Sequence, residues 1–240
     1  MRLSTRIGRF RLDRIVTGAL VLGAIGLGIR GWLHENPQHN PWAPLEIAHL
    51  PGWATVQKIN ALRGATDDCR AVLDRGGVAF EVLPPSGENA CLRDDRIVLS
   101  GEGFSPANPQ MTCLAATGYA IWMEHGVQPA AEAILGSRIA RVEHLGTYNC
   151  RRIGGGNDGQ WSEHATGNAL DIAAFVTEDG QRISLLGDWQ GDDEEAAFLH
   201  RARDSACASF STVLSPEDNA AHADHFHLDQ ADRIVGRVCR

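Results

Sequence analysis

The sequence predicts an α+β fold, in which a small antiparallel sheet is backed by helices, stapled by disulfides and preceded by a transmembrane helix. Short alternating apolar segments and longer segments with helical spacing share the chain beyond residue 53. Six cysteines are widely spread without a C-x-x-C pair. An apolar run near the N-terminus follows a group of arginines, which is typical of an exported protein.

The composition is that of a folded acidic protein. Its 240 residues are 43% hydrophobic and 22% charged, enough for one sizeable core or two small ones. The net charge is −8, and no basic stripe follows the first fourteen residues. Proteins that bind nucleic acid usually present such a stripe, so we expect no nucleic-acid partner.

The N-terminal segment predicts membrane insertion. The run from Ile15 to Ile29 follows arginines at positions 2, 6, 9, 11 and 14, a bias that predicts the N-terminus inside and the rest outside. As a helix the run spans only about 22 Å, so crossing a core of about 30 Å requires extension through Trp32 and Leu33. Residues 1–33 have three possible interpretations. In order of preference, they are an uncleaved signal anchor, a cleaved signal peptide and a buried helix. The first two place residues 53–240 in the periplasm, and the first gives a single pass through the inner membrane.

The cysteines predict three disulfides, because an exported chain meets oxidising conditions. Six buried free thiols would suit a cytosolic protein instead, which conflicts with the anchor. Fifteen pairings are open. Cys207 with Cys239 is the first guess, since a bridge at Cys239 would tie down a terminus that otherwise frays. The six are Cys69, Cys91, Cys113, Cys150, Cys207 and Cys239.

The remaining elements follow from spacing and turn residues. Residues 34–52 carry four prolines and are interpreted as a linker that lifts the domain off the membrane. Helical spacing predicts helices over 67–75, 110–125 with a continuation at 130–135, and 192–210. Alternation predicts strands over 78–83, 138–152, 169–176, 182–186, 210–214 and 223–228, with a hairpin turn at Glu178-Asp179-Gly180. Trp189 is expected in the core, and Tyr148 and Trp161 as packing residues or, alternatively, as walls of a groove.

Two segments about fifty residues apart together predict a metal site. The first, Ser162 to Asp171, offers His164 and Asp171, and the second, His222 to His227, ends in alternating histidines. Three such ligands and one open position are typical of hydrolytic zinc, which lowers the pKa of a bound water to about 7. The alternative is a buried histidine satisfied by its neighbours, with Asp171 bonded to a strand-end amide.

The local residues suit this geometry. Gly167 and Asn168 favour a tight turn between His164 and the strand that carries Asp171. If residues 223–228 form a strand, His225 and His227 point to the same face. Two histidines and a carboxylate with open coordination favour Zn²⁺, while Mn and Co stay open.

These motifs resemble a known family. S-E-H-A-T-G-N-A-L-D-I at residues 162–172, with H-F-H at 225–227, is similar to the extensin-like C-terminal domain of bacterial exported proteins. The resemblance extends to residues 146–152, 188–189 and 206–214, and covers residue 67 to the end. The motif in turn resembles a zinc-peptidase group that holds D-Ala-D-Ala carboxypeptidases, penicillin-insensitive murein endopeptidases and the hedgehog domain. Its peptidases cleave stem peptides or cross-links of peptidoglycan on a small antiparallel sheet.

The resemblance implies the ligand set and its surroundings. His164, Asp171 and His227 would be the zinc ligands. His222 would contact a ligand residue or the substrate. Arg151 resembles an arginine that binds the substrate carboxylate or polarises the scissile carbonyl in the carboxypeptidases.

The resemblance leaves the proton-transfer group open. His225 would lie beside the reacting water as a base or an electrostatic stabiliser. The peptidases often carry a glutamate three residues before the last histidine ligand, where this chain has Asp224. Asp224 is one methylene shorter and would point away from His227 on a regular strand, so His225 is preferred.

Two functions therefore compete. The first is an exported, membrane-anchored zinc peptidase acting on peptidoglycan stem peptides or cross-links. The second is a non-catalytic cell-wall or partner-binding module with a structural or vestigial zinc site. A metal-free envelope scaffold held by disulfides is a third and weaker interpretation.

Overall fold

The first element of the computed structural model is a long exposed helix, α1 (Arg11–Glu35). The structure describes residues 11–101, 103–233 and 236–240, so the arginines predicted to fix the orientation at positions 2, 6 and 9 lie outside it. The helix has a mean hydropathy of 1.7 over its most apolar window, and none of that window is buried. The lack of burial is against the buried-helix interpretation. A membrane anchor and a signal sequence both fit α1, the one candidate membrane span among the described residues.

The domain helices confirm the predictions from apolar spacing. The helix predicted at 110–125 begins later, because Thr112 caps it by accepting a hydrogen bond from the Ala115 N–H at 3.2 Å. The helix predicted at 192–210 is capped by Asp193, with acidic residues in its first turn. The helices are α2 (Thr55–Ala61), α3 (Thr66–Arg75), α4 (Cys113–Trp122), α5 (Gln128–Leu135), α6 (Leu185–Asp188) and α7 (Glu194–Ala206). A π-helical turn, Met123–Val127, joins α4 to α5.

The strands form two sheets. They are β1 (Phe80–Leu83), β2 (Arg96–Leu99), β3 (Phe104–Ser105), β4 (Gln110–Met111), β5 (Ile139–Gly146), β6 (Ala169–Thr177), β7 (Arg182–Ser184), β8 (Thr212–Leu214), β9 (Phe226–Asp229) and β10 (Val238–Cys239). The first sheet has three antiparallel strands in the order β1-β2-β4, and the second has seven, in the order β10-β8-β9-β6-β5-β3, with β7 paired to β6. The β6–β7 hairpin is the one predicted, and β5 shows register shifts against β6.

Several elements were not predicted, and five strands are shorter than predicted, namely β1, β5, β7, β8 and β9. The elements without a prediction are α2, α6, β2, β3, β4 and β10. The strands among them have only two to four residues, which are too few to establish a period. β5 ends at Gly146, so the strand predicted over 138–152 was too long. β9 begins at Phe226 rather than at residue 223, since a 3₁₀ turn at Ala220–His222 precedes it.

The core lies between the larger sheet and helices α4, α5 and α7. Trp122 at the end of α4 is 1% exposed, and its Nε1–H donates to the Ala202 carbonyl at 2.8 Å. Phe175 on β6 packs edge-on against Trp122 and against Phe198 of α7. Trp189 is 2% exposed, which confirms its predicted place in the core.

All six cysteines form disulfides, as predicted. Cys207–Cys239, the first guess, is present and holds β10 near the end of α7. Cys69–Cys113 joins α3 to the start of α4. Cys91–Cys150 joins the segment before β2 to the loop after β5.

Residues 36–54, which we call the joint segment, connect α1 to α2. Leu45 and Ile47 of this segment are buried in the domain core. A 3₁₀ turn, Pro37–His39, follows α1 directly. The proline-rich segment is therefore packed against the domain, whereas its composition favoured an extended linker. The division of the chain at residues 33 and 52 stays a prediction.

Candidate metal centre

Two neighbouring strands place the predicted ligands opposite one another. Asp171 on β6 pairs in register with His227 on β9. The flanking Ile172 and Phe226, also in register, are fully buried and point to the core face. Because side chains alternate along a strand, Asp171 and His227 share the other face.

His164 reaches the same place from a tight turn before β6. The 3₁₀ turn Glu163–Thr166 opens with Ser162, whose hydroxyl accepts from the His164 N–H at 3.3 Å. Gly167 ends the turn with φ 76°, a left-handed conformation that glycine adopts without strain. The Asn168 side chain then donates to the Gln230 carbonyl at 2.9 Å, which ties the turn to the end of β9. The tight turn predicted from Gly167 and Asn168 is confirmed.

The three ligand atoms converge. His164 Nε2 lies 3.1 Å from Asp171 Oδ1 and 3.1 Å from His227 Nδ1, and the last two atoms are 3.0 Å apart. Ligands about 2.0–2.2 Å from a tetrahedral zinc ion are roughly 3.3–3.5 Å from one another. The donor set and spacing therefore fit a small divalent cation, which would satisfy all three atoms at once.

The electrostatics of the cluster follow from its burial. Burial opposes the charge on Asp171, but hydrogen bonds and positive charge from His164 and His227 hold the pKa of that carboxyl well below its usual value. Burial lowers the pKa of His227, but hydrogen bonds to Asp171 and Asp229 outweigh it and raise that pKa to about 9. The metal-free cluster thus binds a proton at neutral pH, and a metal ion would replace it.

Asp229 is a site residue that the sequence analysis missed. Its Oδ2 lies 3.0 Å from His227 Nε2, on the ring edge opposite the cluster. Asp229 is 5% exposed, and its other oxygen accepts from the Ala231 N–H at 2.9 Å. A carboxylate behind a metal-binding imidazole fixes the ring and its tautomer. The H-x-D spacing on β9 was the signal, since both side chains share a face.

We expect Asp229→Asn to lower zinc affinity by about 10- to 100-fold, because an amide holds the His227 ring less strongly than a carboxylate does. Competition with a fluorescent chelator measures the affinity. Asp232→Asn, at an exposed position three residues later, is the matched control and should bind zinc as the wild type does. Equal affinities for both variants would remove Asp229 from the site.

His225 lies beside the cluster, although not on a strand as predicted. Its Nε2 is 3.7 Å from Asp171 Oδ1, and its Nδ1 is 2.7 Å from Asp224 Oδ1. Asp224 therefore contacts His225 and none of the three ligand residues. Since the carboxylate accepts from Nδ1–H, the Nε2 lone pair is left facing the cluster.

The His222 ring lies beside the rings of His225 and His227. Its ring centroid lies 5.3 Å from that of His225 and 5.9 Å from that of His227. Its Nδ1 is 3.1 Å from Asn219 Oδ1. Burial and then the charges of His225 and His227 lower the pKa of His222, which favours its neutral form. This placement agrees with a contact to a ligand residue or to substrate.

Arg151 is held near the His164 turn by the main chain. Its carbonyl accepts from the Ser162 N–H at 3.1 Å, and the adjacent Cys150 is tied to Cys91. The Arg151 side chain is exposed and makes no hydrogen bond or ion pair within the part of the chain that the structure describes. Its guanidinium is thus available to a substrate anion.

A second arginine, Arg93, was not predicted. Its guanidinium stacks over the Tyr148 ring at 3.8 Å, and its Cδ would lie 3.6 Å from a side chain added at Gly167. Arg152 likewise stacks over Trp161 at 4.3 Å. Both residues are about 40% exposed, so neither belongs to the core, and each packs against an arginine. The Cys91–Cys150 disulfide brings Arg93 close to the His164 turn. The spacing of these residues along the sequence does not reveal that proximity.

Comparison with known proteins identifies one family. The family model described as "Extensin-like protein C-terminus" matches residues 67–240, which include every residue of this centre. No curated protein and no solved structure shows significant similarity to the chain.

Proposed function

This chain belongs to the extensin-like protein C-terminus family, and on that premise we propose that it is an exported, membrane-anchored zinc peptidase that acts on peptidoglycan peptides. The observation that carries the proposal is the convergence of His164, Asp171 and His227 with His225 beside them. The described ligand atoms lie within 4.8 Å of one another, in a mostly buried setting. Two imidazoles and a carboxylate that converge from separate segments are the arrangement expected of a metal site.

Each residue of the metal centre has its own role in the proposed hydrolysis. Zinc, when bound, supplies Lewis acidity and lowers the pKa of water. His225 Nε2 accepts a proton from the attacking water and later delivers it to the leaving amine. Asp224 holds the Nδ1–H tautomer of His225 and stabilises the ring when it is charged. Asp229 accepts a hydrogen bond from His227 Nε2 and fixes the orientation of that ring.

The positive charge around the centre supports an anionic peptide as substrate. The whole chain carries a net charge of −8, yet three arginines, Arg93, Arg151 and Arg152, lie in segments that adjoin the His164 turn. Guanidinium groups bind carboxylates in a two-point geometry. Peptidoglycan stem peptides present free carboxylates, which these arginines would orient.

A non-catalytic wall-binding module is the second candidate. Asp224 occupies the place at which the peptidases often carry a glutamate, and its side chain is 53% exposed and turned to His225. If His225 does not transfer protons, Asp224 does not replace it, because its contact is with His225 and not with a ligand residue. The same surface would then bind peptide without cleaving it.

Incubation of the full-length protein with purified muropeptides tests the proposal. We expect new free amines with zinc-loaded protein, none after chelation, and recovery after zinc is returned, because the ligand set is the source of the reactivity. Amine labelling and mass spectrometry measure the products and give the scissile bond. Zinc-loaded protein that binds the muropeptides but cleaves none would support the second candidate and contradict the first.

A further inference from the structure

The joint segment fixes the end of α1 to the domain. Lys58 on α2 is 6% exposed, and its Nζ donates to the carbonyls of Pro37 at 2.6 Å and Pro44 at 3.3 Å. Burial lowers the pKa of Lys58, and the two carbonyls satisfy its ammonium. The Ala54 N–H also donates to the Gln38 carbonyl. A segment bonded at both ends and buried in its middle holds α1 and the domain together as one unit.

A stack of three rings strengthens this junction. The Trp32 ring in the last turns of α1 lies 5.2 Å from the His39 ring, and the His39 ring lies 5.8 Å from that of Trp53. Both pairs are nearly parallel, with interplanar angles of 15° and 22°. The stack runs from α1 to the residue just before α2, so Trp53 lies close to the end of the apolar helix.

The outer side of the joint segment exposes large apolar side chains. Trp42 is 82% exposed, Leu50 66% and Trp53 60%, while Trp32 on α1 is 47% exposed. Exposing indole rings to water is unfavourable, and tryptophan is enriched where a protein meets the headgroups of a bilayer. Trp32, Trp42, Leu50 and Trp53 form what we call the interfacial surface.

We propose that the interfacial surface lies in the headgroup layer of the same bilayer that α1 crosses, so that the domain rests on the membrane. At about 1.5 Å per residue, the part of α1 from Ile15 to Leu33 spans about 28 Å, close to a hydrocarbon core of about 30 Å, which places Trp32 at the boundary with the headgroups. The stack of Trp32, His39 and Trp53 joins this surface to the end of α1, which points to lipid as its occupant. This inference rests on retention of α1 as an anchor and not on peptidase activity.

A consequence for the metal centre follows. The joint segment is held by Lys58 and by the core, so it cannot extend. The metal centre would therefore lie at a fixed, short distance from the membrane. Peptides close to the membrane surface would then be favoured over the outer layers of the wall.

Tryptophan quenching by brominated lipid tests the proposal on the full chain. The protein is reconstituted into phosphatidylcholine and phosphatidylglycerol vesicles whose acyl chains are brominated near the headgroup. We expect Trp42→Phe with Trp53→Phe to reduce the quenched emission to about one third, since one of three interfacial indoles stays. Trp161→Phe, beside the metal centre, is the matched control and should leave the quenched emission unchanged. Trp42→Phe alone is a second variant, because a side chain 82% exposed is not needed for folding.

The outcomes are distinguishable. Quenched emission that is the same in the double variant and the wild type would mean that only Trp32 meets lipid, and would overturn the proposal while α1 still spans. No quenching in any sample would overturn it together with the anchor. Zinc content and muropeptide cleavage, measured on the same vesicles, report on the proposed function independently of either result.

Discussion

Replacing His164 with alanine is expected to abolish stoichiometric zinc binding and turnover together. His164 Nε2 is within 3.1 Å of both other ligand atoms, and its ring is 2% exposed, so no neighbouring side chain or bulk water can take its place without rearrangement. The remaining Asp171 and His227 form a two-ligand site, which falls short of the three protein ligands usual in catalytic zinc sites. Elemental analysis of the dialysed protein measures the zinc, and amine release measures the turnover.

Thermal unfolding adds a second readout for the same variant. A ligand that binds only the folded state stabilises it by about 4 kcal/mol at 1,000 times its Kd. We therefore expect zinc to raise the Tm of the wild type and to leave that of His164→Ala unchanged. His49→Ala, an exposed histidine of the joint segment, is the matched control and should respond as the wild type does. Unchanged zinc stoichiometry in His164→Ala would reject the ligand assignment.

The sequence predicted that His164, Asp171 and His227 converge, but not which residues surround them, for a physical reason. His164, Gly167 and Asp171 lie within eight positions, and their geometry is set by a local turn and the alternation of one strand. Asp229 follows the same alternation and was within reach of the same reasoning. Arg93 was not, because a disulfide between distant segments brings it to the His164 turn.

The strand boundaries also depend on contacts between distant segments, which the local sequence pattern does not predict. Residues 223–225 have an alternating pattern that favours a strand, but β9 pairs with β6 only from Phe226 onward. The 3₁₀ turn at Ala220–His222, capped by the Asn219 side chain, occupies the preceding residues. His225 nevertheless lies 3.7 Å from Asp171, although β9 does not include it. The joint segment differs from its compositional prediction because Lys58 and the core bind it, which composition does not encode.

The Asp224–His225 pair bears on the choice between the peptidase and the non-catalytic binding module. A vestigial zinc site needs only the three ligands, whereas this centre also carries a polarised imidazole at its open side. The Asp224–His225 pair has no evident structural purpose, since Asp224 is exposed and bonds no main-chain group of another element. That arrangement favours the peptidase over the binding module.

Replacing His225 with alanine is accordingly expected to keep the zinc and to lower turnover by about 10²- to 10⁴-fold, the range for loss of a general acid–base group. Its Nε2 lies 3.7 Å from Asp171 Oδ1, beyond hydrogen-bond distance, so the cluster should survive removal of the ring. Asp224→Asn should give a smaller loss, because His225 stays in place and loses only the partner of its Nδ1. Kinetics on a muropeptide substrate, with zinc measured in each variant, separate these effects.

Chemical rescue distinguishes proton transfer by His225 from a merely structural role. The His225 side chain is 13% exposed at the open side of the cluster, so its removal leaves a space that solvent can reach. Added imidazole should restore part of the activity of His225→Ala and none of that of His164→Ala, whose defect is the missing metal. A metal-free His225→Ala protein would instead make His225 a fourth ligand. Full activity without His225 would contradict its role and move proton transfer to another group of the same peptidase.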